Sequence, residues 1–180
     1  MIDRHQLPGD GPGVTIVEAD RPDEPVLRRL IELYLYDLSR LDGRPIGPHG
    51  EYGYRYLDQY WTEEQRYPYL IQVDGHWAGF ALVNRHTALG EDAWSMAEFF
   101  VMAAYRRRGI GERVARWLFD RHAGTWHVAE LRHNVEAQAF WRRAIGSYTN
   151  GQFREVELHD ERWDGPIQIF VSPVSQHGTP

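Results

Sequence analysis

One stretch constrains this chain more than any other. Phe99-Phe100-Val101-Met102 is an apolar run of strand length, and Ala103-Ala104-Tyr105 is a short connection. Arg106-Arg107-Arg108 then leads into Gly109-Ile110-Gly111, which opens a helical pattern. The order is strand, basic glycine loop, helix N-terminus. An anion suits such a place, because the first backbone N–H groups of a helix lack internal partners and the helix dipole adds positive potential there. The glycines let the backbone turn and approach a ligand closely. The expectation is a pyrophosphate cradle built from Arg106, Arg107, Arg108, Gly109, Ile110 and Gly111.

Other phosphate binders fit less well. A Walker loop needs a lysine, and all twenty basic residues of the Lys+Arg class are arginine. A dinucleotide fingerprint needs a third glycine where Val114 stands. Lysine Schiff-base chemistry is excluded for the same want of lysine, and the absence of cysteine excludes disulfides, thiolate zinc sites and an acyl-cysteine intermediate. His122, His127 and His133 have no recognised ligand spacing, so no metal is expected, and no G-x-S-x-G nucleophile signal exists. A formal charge of −6 argues against nucleic-acid binding and mildly favours a cationic substrate. No run is long and apolar enough for a bilayer, and MIDRHQLPGDGPG lacks a signal-peptide core, so the expected location is the cytoplasm, with no membrane partner.

With 180 residues the chain reads as one domain, 1–180, with residues 1–13 a loose lead-in and 172–180 a flexible tail. Val14–Ala19 has strand composition; Asp20-Arg21-Pro22-Asp23 caps a helix that carries Leu27, Leu30, Ile31, Tyr34 and Leu38 at helical spacing to about Leu41. Asp42–Gly53 is loop, and a shorter helix is expected over Tyr54–Glu64. Tyr69–Val73, Asp74-Gly75 and Trp77–Val83 make a hairpin. Ala93–Met102 is a core strand, Gly109–Ala123 a helix and Trp126–Leu131 a strand, which together form a βαβ unit with parallel strands. Asn134 caps a last helix ending at Gly146; Tyr148–Leu158 and Gly165–Val171 are closing strands. Eight of the ten tyrosines fall between Tyr34 and Tyr69. They read as core-edge rings, as an aromatic wall for an acceptor, or as both.

The Arg106–Gly111 loop, with Val101 before it and Asn134-Val135-Glu136-Ala137 after the next strand, resembles the GNAT superfamily of N-acetyltransferases. The resemblance covers Phe99 to about Gly146 by motif and the rest by element order. It implies an α/β fold with a mostly antiparallel mixed sheet, one parallel pair, and helices on both faces. It also implies acetyl-CoA as co-substrate, with the loop's N–H groups on the pyrophosphate, the backbone of Val101 and Met102 along the pantetheine arm, and Asn134 close to that arm. Trp141 stands where the family often carries its tyrosine acid, and is placed among the cofactor-binding residues.

The implied reaction is attack of a primary amine, small-molecule or peptide, on the thioester in a ternary complex. An alkyl ammonium of pKa near 10 must lose a proton first, at about 4 kcal/mol at pH 7, so a carboxylate base is useful. Glu130, at the end of the strand bordering the acetyl group, is one candidate; it also reads as a strand-end charge in water. Tyr148 is a candidate acid in place of the missing tyrosine, and the alternative is an unassisted thiolate. Glu98 is expected to face away from the chemistry, because alternation sets it opposite Phe99 and Val101. His127 and His133 read as solvated. Tyr60 and Trp61 are the expected walls of the acceptor pocket. A homodimer is compatible with the sequence. The competing reading is a non-catalytic acyl-CoA-binding or sensing domain of the same fold.

Overall fold

The computed structural model describes residues 3–173. Strands β1 (Arg4–Gln6) and β2 (Val14–Glu18) precede helix α1 (Glu24–Asp42), and β3 (Tyr67–Val73), β4 (His76–Asn84) and β5 (Trp94–Val101) follow it. Helix α2 (Ile110–Arg121), β6 (Gly124–Ala129), α3 (Val135–Thr149), β7 (Arg154–Asp160) and β8 (Trp163–Ser172) complete the chain. The strands lie in the order β1-β2-β3-β4-β5-β6-β8-β7. β5 and β6 are parallel, as the βαβ reading requires, and β1–β2, β2–β3, β3–β4, β6–β8 and β7–β8 are antiparallel. This is the expected mixed, mostly antiparallel α/β fold.

The chain forms two compact units, Met1–Val83 with Glu98–Ile110, and Asn84–Ala97 with Gly111–Pro180. In the first, α1 begins after an Asp20/Asp23 capping box and ends at Gly43, whose φ of 67° suits a left-handed cap. Leu27, Leu30, Ile31, Leu35 and Leu38 form its buried stripe. The β3–β4 hairpin turns at Asp74-Gly75, both at positive φ. Gly79 on β4 meets β5 so closely that a Cβ there would lie 2.0 Å from the Phe100 carbonyl oxygen. Tyr34, Phe80 and Phe100 pack with ring centroids 5.7–5.8 Å apart.

In the second unit, Phe119 of α2 is the hub of the aromatic core, against Trp126 (5.0 Å), Phe170 (4.8 Å), Tyr148 (5.2 Å) and Trp141 (6.2 Å). Asn134 does cap α3, its Oδ1 accepting from the Ala137 N–H at 3.2 Å. Gln138, buried, donates to the carbonyls of Leu131 and Arg132, both at 3.0 Å, and so ties the β6–α3 connection to the helix.

Several expectations need correction. Arg4–Gln6 is paired with β2 and Leu7 is buried, so the lead-in is not loose throughout. The helix expected over Tyr54–Glu64 is a single 3-10 stretch, Leu57–Trp61. Helix α3 continues past Gly146 to Thr149, which puts Tyr148 inside the helix and shortens the first closing strand. Gly146 has ordinary helical neighbours; the left-handed stop comes at Asn150, φ 53°. The second closing strand extends to Ser172, and residues 174–180 lie outside those described.

Candidate active site

Strand β5 carries Glu98, and in the first unit its carboxyl meets the tyrosine-rich segment. The Tyr34 hydroxyl of α1 donates to Glu98 Oε2 at 2.6 Å, and the Tyr54 hydroxyl acts on the same carboxylate electrostatically. Alternation does set Glu98 opposite Phe99, but that face is the one the tyrosines occupy. Burial pushes the Glu98 carboxyl up to about 7, against the pull of the two hydroxyls and of the Arg44 charge. Burial and the neighbouring Glu98 charge raise both phenols, so Tyr34 and Tyr54 remain protonated.

The segment bearing Tyr54 is fixed to α1. Glu32 accepts from the Tyr52 N–H (2.7 Å) through one carboxylate oxygen and from the Gly53 N–H (2.9 Å) through the other. The Tyr52 hydroxyl reaches Ser39 at 3.3 Å. Gly53 sits at φ 74°, a conformation that a side chain would strain. Tyr60 is buried with the Arg66 guanidinium 5.4 Å above its ring. Trp61 is half-buried, and its indole N–H has no acceptor among the described residues.

Downstream of Glu98 the strand runs into the basic loop. Arg107 (φ 59°) and Gly109 (φ 73°) both take left-handed conformations, which folds the backbone into a concave turn just ahead of α2. A Cβ on Gly109 would meet nothing within 4 Å, so the space beside the turn is open. The N–H groups of Ile110 and Gly111 precede the first internal bonds of α2. Arg107 and Arg108 are exposed. Arg106 differs from them: its Nε donates to the Val101 carbonyl at 2.7 Å, and its guanidinium pairs with Asp37 of α1 and lies over the Phe100 ring. The Met102 N–H is committed to the Ala78 carbonyl at 2.8 Å. Pairing of β5 with β6 covers Trp94↔Trp126 and Ser95↔His127, and the rest of that edge of β5 has no ladder partner among the described residues.

In the second unit, Glu130 is 4% exposed and neither carboxyl oxygen has a hydrogen-bond partner. A strand-end charge in water is thereby excluded. Burial pushes this carboxyl up to about 8, with the adjacent Gln168 amide, whose Nε2 donates to Glu155 at 2.7 Å, acting the other way. Arg142 in turn grips Glu155 with two bonds. Tyr148 donates to Asp120 (2.6 Å) and shares a 2.9 Å bond with Ser172; burial and Asp120 raise its phenol to about 12. Fourteen residues of helix separate Tyr148 from Asn134, roughly 21 Å at 1.5 Å per residue. Trp141 is buried between Phe119 and Phe140. His127 is buried rather than solvated, 3.2 Å from Glu91, and burial lowers its pKa; His133 is exposed as expected. No group of metal-ligating side chains occurs among the described residues, and no helix there is long and apolar enough to cross a membrane.

Sequence reasoning had Glu98 in view, on the face opposite Phe99, and did not single out Glu32, Tyr34 or Tyr54. The concentration of tyrosines was the available signal.

A mixed sheet whose parallel pair is joined through a glycine loop and helix start defines an acyl-transferase type of α/β fold. Residues 32–146 match the family model for the acetyltransferase (GNAT) family, and the chain belongs to that family. The fold is similar to an acetyltransferase from Thermus thermophilus (16% identity, TM-score 0.63, covering 94% of this chain and 100% of that one). It is also similar to the ribosomal-protein-S18-alanine N-acetyltransferase of Escherichia coli (16%, 0.58, 93% and 99%). A third similar structure is an aminoglycoside acetyltransferase in complex with coenzyme A (16%, 0.55, 88% and 94%). At these identities the likeness is one of fold. Comparison with curated protein sequences found no match.

Proposed function

We propose that this protein moves an acetyl group from acetyl-CoA to a primary amine by direct attack, with Glu98 as the general base. The observation that carries the reading is the Glu98 carboxyl, held by the Tyr34 hydroxyl, on the strand that leads into the anion loop. The left-handed turn at Arg107 and Gly109, the open space beside Gly109 and the free helix start fit a pyrophosphate. Bound there, acetyl-CoA would supply the acetyl group as a thioester. The N–H groups of Gly109, Ile110 and Gly111 hold the diphosphate, and Arg107 and Arg108 add charge. Arg106 instead braces the loop against Val101 and Asp37. The open edge of β5 offers backbone to an extended arm, in the manner of an added strand.

An acceptor ammonium arrives protonated, and Glu98 Oε would take one proton first, which frees the lone pair to attack the thioester carbon; as the C–S bond breaks, the thiolate would leave with the proton that the new amide nitrogen sheds. A carboxyl titrating near neutrality is matched to that task. Glu130 is not given this role, because its oxygens are sealed in the second unit's core and burial keeps them protonated near neutrality. Tyr148 is not given the acid role, because it stands at the end of α3 opposite Asn134 with its proton already donated to Asp120. Two proteins of similar fold are named for a ribosomal-protein alanine and an aminoglycoside, and the tyrosine segment with Tyr60 and Trp61 serves here as the acceptor's wall.

The test is release of free thiol from acetyl-CoA over a broad panel of primary amines. Turnover with at least one amine, abolished in Glu98→Gln, is expected. Tight acetyl-CoA binding with no turnover on any amine would assign the chain to acyl-CoA sensing instead. Undiminished CoA binding in Gly109→Glu would overturn the cradle.

A further inference from the structure

We infer that Glu32 is a positioning residue for the base: through the backbone N–H groups of Tyr52 and Gly53 it holds Tyr54 over Glu98 and keeps that carboxyl from water. The inference rests on the reading of Glu98 as the base. Glu32 lies two residues from Tyr34 on α1, so one turn of helix supplies both a donor to Glu98 and the clamp for the segment that brings Tyr54. Both oxygens of Glu32 are spent on main-chain N–H groups, at 2.7 and 2.9 Å, in a stretch with no helix or strand of its own between Asp42 and Leu57. A carboxylate accepting two such bonds fixes the backbone in both position and direction. The next residue along is Tyr54, on whose phenol the Glu98 charge acts.

The groups facing Glu98 are the Tyr34 hydroxyl from α1, the Tyr54 hydroxyl from the clamped segment, and the charge of Arg44, itself paired with Asp42. Burial is the largest influence and acts upward; the three groups act downward. Two substitutions therefore separate position from the hydroxyl's influence. Tyr54→Phe keeps the ring in place and removes a hydroxyl that favours the charged form, which raises the Glu98 midpoint. Glu32→Ala frees the whole segment, admits water, and lowers the midpoint toward the ordinary glutamate range, even though the Tyr54 and Arg44 contributions are lost with it.

The experiment is a carbon-13 NMR titration of the full-length protein labelled at glutamate Cδ, with the Glu98 signal assigned by its loss in Glu98→Gln. The wild-type midpoint is expected at about 7. Tyr54→Phe should move it up by roughly one pH unit and Glu32→Ala down by roughly one or more. The double variant should match Glu32→Ala alone. Glu32→Gln keeps the volume and one acceptor oxygen, so it should give a smaller downward shift and serves if the alanine variant does not fold. A midpoint left unmoved in both Glu32 variants, or moved upward as in Tyr54→Phe, overturns the inference. The readout needs no acceptor. Turnover surviving in Glu98→Gln would sink the base assignment while leaving the clamp intact, so the two failures are distinguishable.

Discussion

Tyr34 and Glu98, 64 positions apart in the chain, share a hydrogen bond of 2.6 Å. The phenol donates to the charged form of the carboxyl, and so opposes the burial that pushes Glu98 up to about 7. The base works deprotonated, so kcat/KM for acetyl transfer should rise with pH through about 7. Tyr34→Phe removes a donor without removing the ring. Its acid limb should lie at higher pH, by roughly one unit, with the plateau rate little changed. A pH–rate profile that does not move would mean that Glu98 is not the group titrating in it.

The anion loop depends on a backbone shape that Gly109, at φ 73°, adopts without strain. Gly109→Ala meets no neighbour but carries the left-handed penalty of about 1–2 kcal/mol. A Tm lower by about 2–4 °C per kcal/mol is expected at this chain length. Gly109→Glu adds a negative charge beside a diphosphate, and KM for acetyl-CoA should rise about tenfold or more with kcat nearly unchanged. Steady-state kinetics in acetyl-CoA separate the two effects.

Glu130 makes stability depend on pH. In the unfolded chain it titrates in the ordinary glutamate range and in the fold at about 8. Between these values the folded form holds a proton that the unfolded form has released, so stability falls as pH rises and the loss is complete above about 8. Glu130→Gln removes the titration. Its Tm should exceed that of the wild type by a margin that grows from about pH 5 to 8 and then levels, worth a few kcal/mol at most. A constant margin in thermal melts across that range would contradict the buried carboxyl.

Tyr148 should prove structural. Its hydroxyl joins Asp120 on α2 to Ser172 on β8, and Tyr148→Phe leaves both without that partner. A cost of roughly 1–3 kcal/mol in denaturant unfolding is expected, with kcat unaltered. A large fall in kcat at normal stability would return it to the chemistry.

What the sequence made legible was local. The stripe of α1, the Asp74-Gly75 hairpin, the βαβ unit and the Asn134 cap each announce themselves within a contiguous run of chain, through spacing, turn chemistry and capping. β1 did not, because Arg4-His5-Gln6 has no apolar alternation and is a strand only by virtue of β2 beside it. The second helix shrank to Leu57–Trp61, whose N-cap Tyr56 makes no side-chain capping bond. The surroundings of Glu98 were hidden for a related reason. Strand alternation tells which residues share a face, whereas what that face meets is decided by Tyr34 and Tyr54, more than forty positions earlier. The clamp by Glu32 is long-range in the same sense, spanning 20 and 21 positions.

Gly79 sets a different kind of limit. A side chain of any size there would place its first carbon 2.0 Å from the Phe100 carbonyl oxygen, an atom two residues beyond Glu98. If every codon were tried at position 79 and active clones were selected, glycine alone should come back. The seam between two strands thus behaves as a genetic invariant, enforced by the missing methyl rather than by anything the residue touches.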